Sequence, residues 1–286
     1  MGERQYLDLI RRILEEGSME EGRNGKTKVV IGEMMRFSLG NNYLPLLTTK
    51  KLAWRTCLKE LLWFISGSTN NVTLQNQKVN IWTQNAQDYL EKNPQKMEGD
   101  LGPIYGHQWR HFNAKYLDCH SNYEGKGIDQ LNKIIGMLQD NNQKYSRRMV
   151  VSAWNPCQID EMALPPCHVL FQFHVTGENK LSLTLYQRSG DVGLGVPFNI
   201  ASYSFLLHLI AFHCDLEANE FIYFLGNAHI YDDHLGHLKE QSERTPLSFP
   251  KLKINRRHLK IEDYTMNDFE VLEYQYCDPI KMNMRK

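Results

Sequence analysis

Apolar residues at positions 6, 9, 10, 13 and 14 recur at the spacing of one helix face, and Gly17 ends the run. Residues 6–16 are therefore predicted to form an amphipathic helix. Residues 54–65 are apolar on most faces, which predicts a buried helix ending at Ser66-Gly67. Residues 128–138, with apolar positions 128, 131, 134, 135 and 138, predict a third helix, and the largely apolar stretch 199–214 a fourth. Strand signals lie between them. Residues 149–154 form a short β-rich run, and 168–176 and 180–188 flank the turn residues Gly177-Glu178-Asn179 as a hairpin. In its second arm Leu181, Leu183 and Leu185 alternate with polar residues, so one face is buried; residues 221–225 add another strand. The polar segments 85–100 and 113–127 read as surface excursions. Helices mixed with hairpin-linked strands, without a βαβ rhythm, predict an α+β fold.

Composition narrows the function classes. The 286 residues suffice for a large core, and no repeat, low-complexity tract or linker marks a boundary, so a single domain spanning 1–286 is expected. Lys plus Arg and Asp plus Glu both total 33, which leaves no bulk field to attract nucleic acid or a membrane surface. An anionic ligand would need a few placed arginines. The longest apolar stretch, 205–212, is interrupted by His208 and falls short of a bilayer span, and residues 1–14 lack the apolar centre of a signal peptide. Cysteines at 57, 119, 157, 167, 214 and 277 show no Cys-x-x-Cys pair and no His/Cys cluster at zinc spacing. That usage suits reduced thiols in a cytoplasmic or nuclear setting.

Several positions carry candidate chemistry. Cys167 follows Pro165-Pro166, which fix the backbone and remove two N–H donors, so its thiol is presented from a stiff turn. Nucleophile and small buried hydrophobe stand level as readings for Cys167, whereas Cys57 and Cys214 read as filler. A nucleophilic thiol needs a nearby cation. Arg188 is the better candidate, because neighbours on a strand such as Cys167 and His168 point to opposite faces. Arg147-Arg148, and Arg188 followed by Ser189, present forks suited to phosphate, although an Arg-Arg pair in isolation is more often solvated. Arg23 lies in a Gly-containing loop that lacks the length and ending of a P-loop. Glu60 interrupts an apolar helix, where a carboxylate takes either an ion-pair partner, Lys50 or Lys51, or a raised pKa. Asp191 and Asn199 flank Gly193, Gly195 and Pro197 in a loop suited to ligand contact, with a helix N-cap as the alternative for Asn199. His229 and Tyr231 share a face at a strand end, either to bond one ligand group or as satisfied core residues.

Seven segments, LLTTKK (46–51), ELLWFISGSTN (60–70), GDLGPIYGHQWRHF (99–112), SAWNP (152–156), MALPPCH (162–168), LYQRSGDVGLGVPFNIASY (185–203) and GNAHIY (226–231), resemble the folate-dependent thymidylate synthases in order and spacing. The resemblance covers nearly the whole chain, and the 185–203 block is similar to the eukaryotic branch. It implies an α+β protomer with a mixed sheet covered by helices, the sheets of two protomers packing back to back in a homodimer. It implies reductive methylation of dUMP by 5,10-methylenetetrahydrofolate, without a metal, through a covalent adduct of Cys167 with the nucleotide. Glu60, Tyr105, His168, Asn199 and Arg188 would act beside Cys167. Arg23, Gln187, Arg188, Ser189, Asp191, Asn199, His229 and Tyr231 would bind the nucleotide, with Arg147 and Arg148 donated by the partner subunit. Ile81, Trp82, Asn85, Asp191, Leu194, Gly195, Phe198 and Met284 would line the folate pocket, which Trp82 and a closing C-terminal tail would keep dry.

The chain departs from the family pattern at RNGKTK (23–28), where RTGTGT is usual, at Cys277-Asp278-Pro279, where a histidine is usual, and in a tail that ends MNMRK. The altered tail motivates a neighbouring reading, dUMP hydroxymethylase, in which water captures the one-carbon unit. A reading from another class, an RNA-binding regulator, is disfavoured by the neutral charge and the intact candidate set.

Overall fold

The computed structural model describes residues 2–22 and 24–285; Met1, Arg23 and Lys286 lie outside the described residues. Helix α1 (Arg4–Glu16) buries Tyr6, Leu7, Leu9, Ile10 and Ile13, the stripe that its periodicity predicts. A hairpin follows, β1 (Ser18–Gly22) and β2 (Gly25–Ser38), which the apolar pattern does not announce. Helices α2 (Trp54–Ile65), α3 (Asn71–Gln75), α4 (Thr83–Lys92), α5 (Tyr105–His111) and α6 (Gln130–Gln139) then precede β3 (Val150–Ser152), β4 (His168–Thr176) and β5 (Lys180–Asp191). The chain continues through α7 (Gly195–His213), β6 (Glu217–Tyr231), α8 (Leu235–Glu243), β7 (Lys251–Ile254) and β8 (Phe269–Leu272).

Six strands form one sheet in the order β1-β2-β6-β5-β4-β3, antiparallel except for the β5–β6 pair. A parallel pair needs a crossover, and α7 supplies it. The fold is α+β as expected, but it contains this one βαβ unit. Alternation along the strands divides the sheet into two faces. Met35, Phe37, Phe171, Phe173, Leu183, Leu185, Phe221 and Tyr223 are buried on one, under the helices. On the other, Met34, Val150, Tyr186 and Phe224 are exposed. The register makes them a patch: Met34 lies opposite Phe224, and Phe224 opposite Tyr186.

The starts of α6 and α7 differ from the sequence reading. Helix α6 starts at Gln130 because the Asp129 carboxylate accepts the Asn132 N–H at 3.0 Å as an N-cap, while Ile128 bridges back to Phe112. Helix α7 starts at Gly195, so Asn199 lies within it and is not its cap; Pro197 is tolerated in the first turn, where its missing N–H has no intrahelical partner. By length and apolarity α7 would suffice to cross a membrane, yet it is 78% buried and is the core helix behind the sheet. The polar segments are not plain excursions either. Tyr89 is buried, and the buried Asp100 accepts a hydrogen bond from Tyr116 at 2.6 Å, with Tyr116 stacked on Tyr123.

Candidate active site

Parallel pairing of β5 and β6 brings their carboxyl ends together beside the start of β4, and the first turns of α5 and α7 close over that edge. Cys167 sits at this junction. Its carbonyl accepts the Arg188 N–H at 3.0 Å, and its own N–H donates to the Tyr105 hydroxyl at 2.7 Å. Tyr105 opens α5, which approaches the Gly67–Ser68 backbone so closely that a Cβ on Gly106 would lie 2.6 Å from the Ser68 carbonyl oxygen. The prolines do more than stiffen the turn. Without N–H groups of their own, Pro165 and Pro166 turn their carbonyls to Arg188, which bonds them through Nη2 and Nε, both at 2.9 Å. The guanidinium stands 5.8 Å from the Trp154 ring centre and keeps its other donors for an anion. Burial pushes the Cys167 thiol up, and the Arg188 charge draws it back down. Arg188, and not His168, is the cation beside the sulfur.

His168 faces inward between the rings of Tyr105 and Tyr203, at 5.0 and 5.3 Å. Burial lowers its pKa to about 3, so it is neutral at physiological pH. Its Nε2 lies 2.7 Å from Asn199 Nδ2, so Nε2 accepts and the proton belongs on Nδ1, which is buried with no hydrogen-bond partner among the described residues. A relay runs from here: Tyr223 donates to Gln187 Oε1 at 2.7 Å, and Gln187 Nε2 donates to Asn199 Oδ1 at 3.0 Å. Held at both ends, Asn199 retains one N–H and one acceptor lone pair.

Glu60 projects from α2 and accepts the Trp82 indole N–H at 2.7 Å. Among the described residues it has no ion-pair partner; Lys50, expected as one candidate, instead donates to the Gly193 carbonyl. Burial raises the Glu60 pKa to about 7, and the Trp82 bond opposes this only in part. Asp191 accepts the N–H groups of Gly193, at 2.9 Å, and Leu194, at 3.3 Å, shaping the entry to α7. Across the sheet it faces His229, whose Nδ1 is 2.9 Å from Asn227 Oδ1. The His229 and Tyr231 rings meet edge-on at 5.4 Å, on one face as predicted. Ser189, opposite Asn227, completes this wall. Ile81 and Phe198 are half-buried against the core, Asn85 and Leu194 are half-buried, Gly195 begins α7, and Met284 is exposed on the tail.

Arg147 and Arg148 are not part of this cluster. Both are exposed, the Arg147 carbonyl accepts from Gln172, and Gln172 lies five residues along β4 from Cys167, roughly 16 Å at strand rise. The predicted phosphate residue Arg23 is outside the described residues. Sequence reasoning missed Tyr223, which periodicity reads as core, and Tyr6, whose hydroxyl donates to the Val192 carbonyl at 2.8 Å. It also missed the role of Lys50 under the 191–195 loop, where burial lowers its pKa to about 8 despite the charges of Asp191 and Glu3. Each is a polar tip on a residue counted as apolar or surface. Among the described residues, no group of three or more His, Cys, Asp or Glu is placed to hold a metal ion.

A family model described as thymidylate synthase matches residues 4–286. The chain is 50% identical over 287 residues to thymidylate synthase 1/2 of Encephalitozoon cuniculi, covering 99% of this chain and 97% of that protein. It is 48% identical over 295 residues to the thymidylate synthase of Saccharomyces cerevisiae, covering 99% and 96%. It is also 50% identical over 286 residues to a bifunctional dihydrofolate reductase-thymidylate synthase of Plasmodium berghei, covering 99% of this chain and 48% of that protein.

Proposed function

This chain belongs to the thymidylate synthase family, and we propose that the pocket around Cys167 is where it performs that family's reaction. The enzyme converts dUMP and 5,10-methylenetetrahydrofolate to dTMP and dihydrofolate. The observation that carries the assignment of residues is the Pro165-Pro166-Cys167 junction, where burial pushes the thiol pKa up and a single arginine bonded to both proline carbonyls opposes that rise.

Arg188 favours the thiolate, which adds to carbon 6 of uracil; electrons shift toward carbon 5 and the oxygen on carbon 4. The free N–H and lone pair of Asn199 match that oxygen and the ring N3–H, whereas a cytosine edge presents the opposite pattern. The Asn199 N–H bond strengthens as charge grows on the oxygen, which is where binding energy accelerates the step. Remaining donors of Arg188, with Ser189 and Arg23, would hold the nucleotide's phosphate end, and His229 and Tyr231 its ribose hydroxyl, while Gln187, whose amide N–H groups go to Ser189 and Asn199, would orient Asn199 toward the base. Asp191 would stand between the two substrates.

Trp82, Ile81, Asn85, Leu194, Gly195, Phe198 and Met284 would hold the folate. The uncompensated Glu60 carboxyl beside an indole fits a flat ring that carries N–H groups. When bound, the folate supplies a one-carbon unit and then a hydride. Glu60, with a pKa of about 7, holds a proton in part and releases it in part at neutral pH, as proton traffic at the folate and at carbon 5 requires. Tyr105 and neutral His168 position the groups around it. The buried Trp82, tied to Glu60, supports exclusion of water, and with it hydride capture over the hydroxymethylase outcome.

We read residues 1–286 as one catalytic domain of a homodimer with back-to-back sheets. The exposed apolar patch of Met34, Val150, Tyr186 and Phe224 supports this, since such a face normally meets a partner. The distance of Arg147 and Arg148 from their own Cys167 supports their donation across the interface. Six unpaired cysteines suit a reducing compartment, the cytoplasm or nucleus. The test is product analysis with dUMP and 5,10-methylenetetrahydrofolate. Equal amounts of dTMP and dihydrofolate are expected; hydroxymethyl product without dihydrofolate refutes the reading. Cys167→Ser is expected to abolish turnover and leave dUMP binding measurable, and unchanged turnover removes Cys167 as nucleophile.

A further inference from the structure

Residues 273–285 contain no helix or strand, yet the tail is held along its length. The Cys277 N–H donates to the Thr48 carbonyl at 2.7 Å, and Arg244 reaches the Asp278 carbonyl at 2.6 Å. The Met282 sulfur lies 3.3 Å from where a Cβ on Gly193 would stand, and His234 Nε2 is 2.8 Å from the Asn283 carbonyl oxygen. Arg285 makes the last anchor. Its Nη2 lies 2.9 Å from an Asp232 oxygen and 3.0 Å from an Asp233 oxygen, and its Nε donates to Asp233 at 3.2 Å. The guanidinium stands 5.9 Å from the Tyr231 ring centre, and Nη1 is 3.8 Å from where a Cβ on Gly25 would sit.

One side chain therefore ties the tail to the turn that follows β6 and stands beside Gly25, where β2 begins. Gly193 separates Asp191 from Asn199, and Tyr231 packs on His229, so the tail crosses the mouth of the Cys167 pocket on that side. Two adjacent carboxylates repel each other unless a fork-shaped cation bridges them, and a planar guanidinium does so in a fixed geometry.

We propose that Arg285 is a positioning residue that clasps the tail over the folate side of the pocket through Asp232 and Asp233. The clasp makes closure depend on a solvent-facing ion pair as well as on the apolar contact of Met282. The inference rests on the reading above of which side of the pocket takes the folate.

The test compares the full chain with Arg285→Ala, Arg285→Lys and Lys281→Ala, the last removing a charge from the same tail. Arg285→Ala is expected to raise the folate KM about three- to tenfold, the size of an exposed ion-pair network, and the dUMP KM by a smaller factor, because the same guanidinium stands against the Tyr231 ring. Folate KM should climb more steeply with salt in wild type than in Arg285→Ala, because the variant lacks one of the pairs that salt screens. Arg285→Lys should recover only part of the affinity, the charge without the fork, and Lys281→Ala should match wild type. Amide hydrogen exchange of residues 280–285 in the ligand-free protein reads the clasp without turnover and should quicken most in Arg285→Ala and not at all in Lys281→Ala. Unchanged folate KM and exchange in that variant, or an equal rise in both KM values, overturns the proposal. Loss of tail protection in a protein whose wild type forms no dTMP sinks the functional reading and leaves the clasp standing.

Discussion

Replacing Glu60 with Gln keeps the length of the side chain and an oxygen to accept the Trp82 N–H, bonded at 2.7 Å, while removing a carboxyl whose pKa burial drives from 4.5 to about 7. A carboxyl with a higher pKa folded than unfolded makes the native state the better proton binder. Its contribution is fully present below about pH 4.5 and is lost as pH rises through about 7. The shift corresponds to at most on the order of 3 kcal/mol of lost stability by about pH 8, and about 1 kcal/mol at about pH 5.5. Gln carries no such dependence. Glu60→Gln should thus gain about 2 kcal/mol over wild type between those two pH values, less to the degree that solvent reaches the carboxyl. Urea unfolding at one fixed protein concentration measures this. Turnover should fall at least about a hundredfold in the same variant, as expected for a removed proton-transfer group. A stability difference that stays constant with pH refutes the claim that an uncompensated buried charge sits at Glu60. Unimpaired turnover refutes its use.

Arg188→Ala takes away the cation that lowers the Cys167 thiol pKa, so the midpoint of iodoacetamide alkylation at Cys167 should move to higher pH; an unmoved midpoint means another group sets it. Tyr223→Phe leaves Gln187 Oε1 without its donor and loosens Asn199, costing about 1–3 kcal/mol of stability and raising the dUMP KM. A normal dUMP KM in that variant, by steady-state assay, ends the relay argument. Equal amounts of Arg147→Ala and Cys167→Ser protomers, each inactive alone, should recover about a quarter of wild-type activity after mixing and exchange, since half the dimers then carry one intact site. No recovery counts against shared sites.

How much of this was readable in the chain depends on whether a signal is periodic. Helix α2 and strand β4 ended where their patterns ended, because each has a single buried face or is buried almost throughout. Strand β2 was invisible for a physical reason. Gly32 sits at φ +78°, the alternation breaks there, and Ile31 and Met34 are both exposed. Helix α5 escaped because its buried residues are Gln108, His107 and Arg110 as much as Trp109, satisfied by partners that no pattern predicts. At the site, Cys167 and Arg188 carried local signals, a stiff turn and a forked cation. Glu60 showed as an oddity with two readings, an ion pair with Lys50 or Lys51 or a raised pKa, and the structure carries the second, since Lys50 turned to Gly193. Tyr223 carried none, because a hydroxyl's partner depends on a strand pairing far away in the chain.

The place of β6 in the sheet bears on how the protein is made. It lies between β2 and β5, so β2 has no partner on its inner edge until residues 217–231 have left the ribosome. Through that interval a nascent chain carries an open strand edge with Ile31 and Met34 exposed, the kind of surface that pairs with the wrong neighbour. Contacts this distant in sequence also slow folding. The order of strands thus makes chaperone holding during synthesis, more than the finished fold's stability, the step on which yield of this protein should turn.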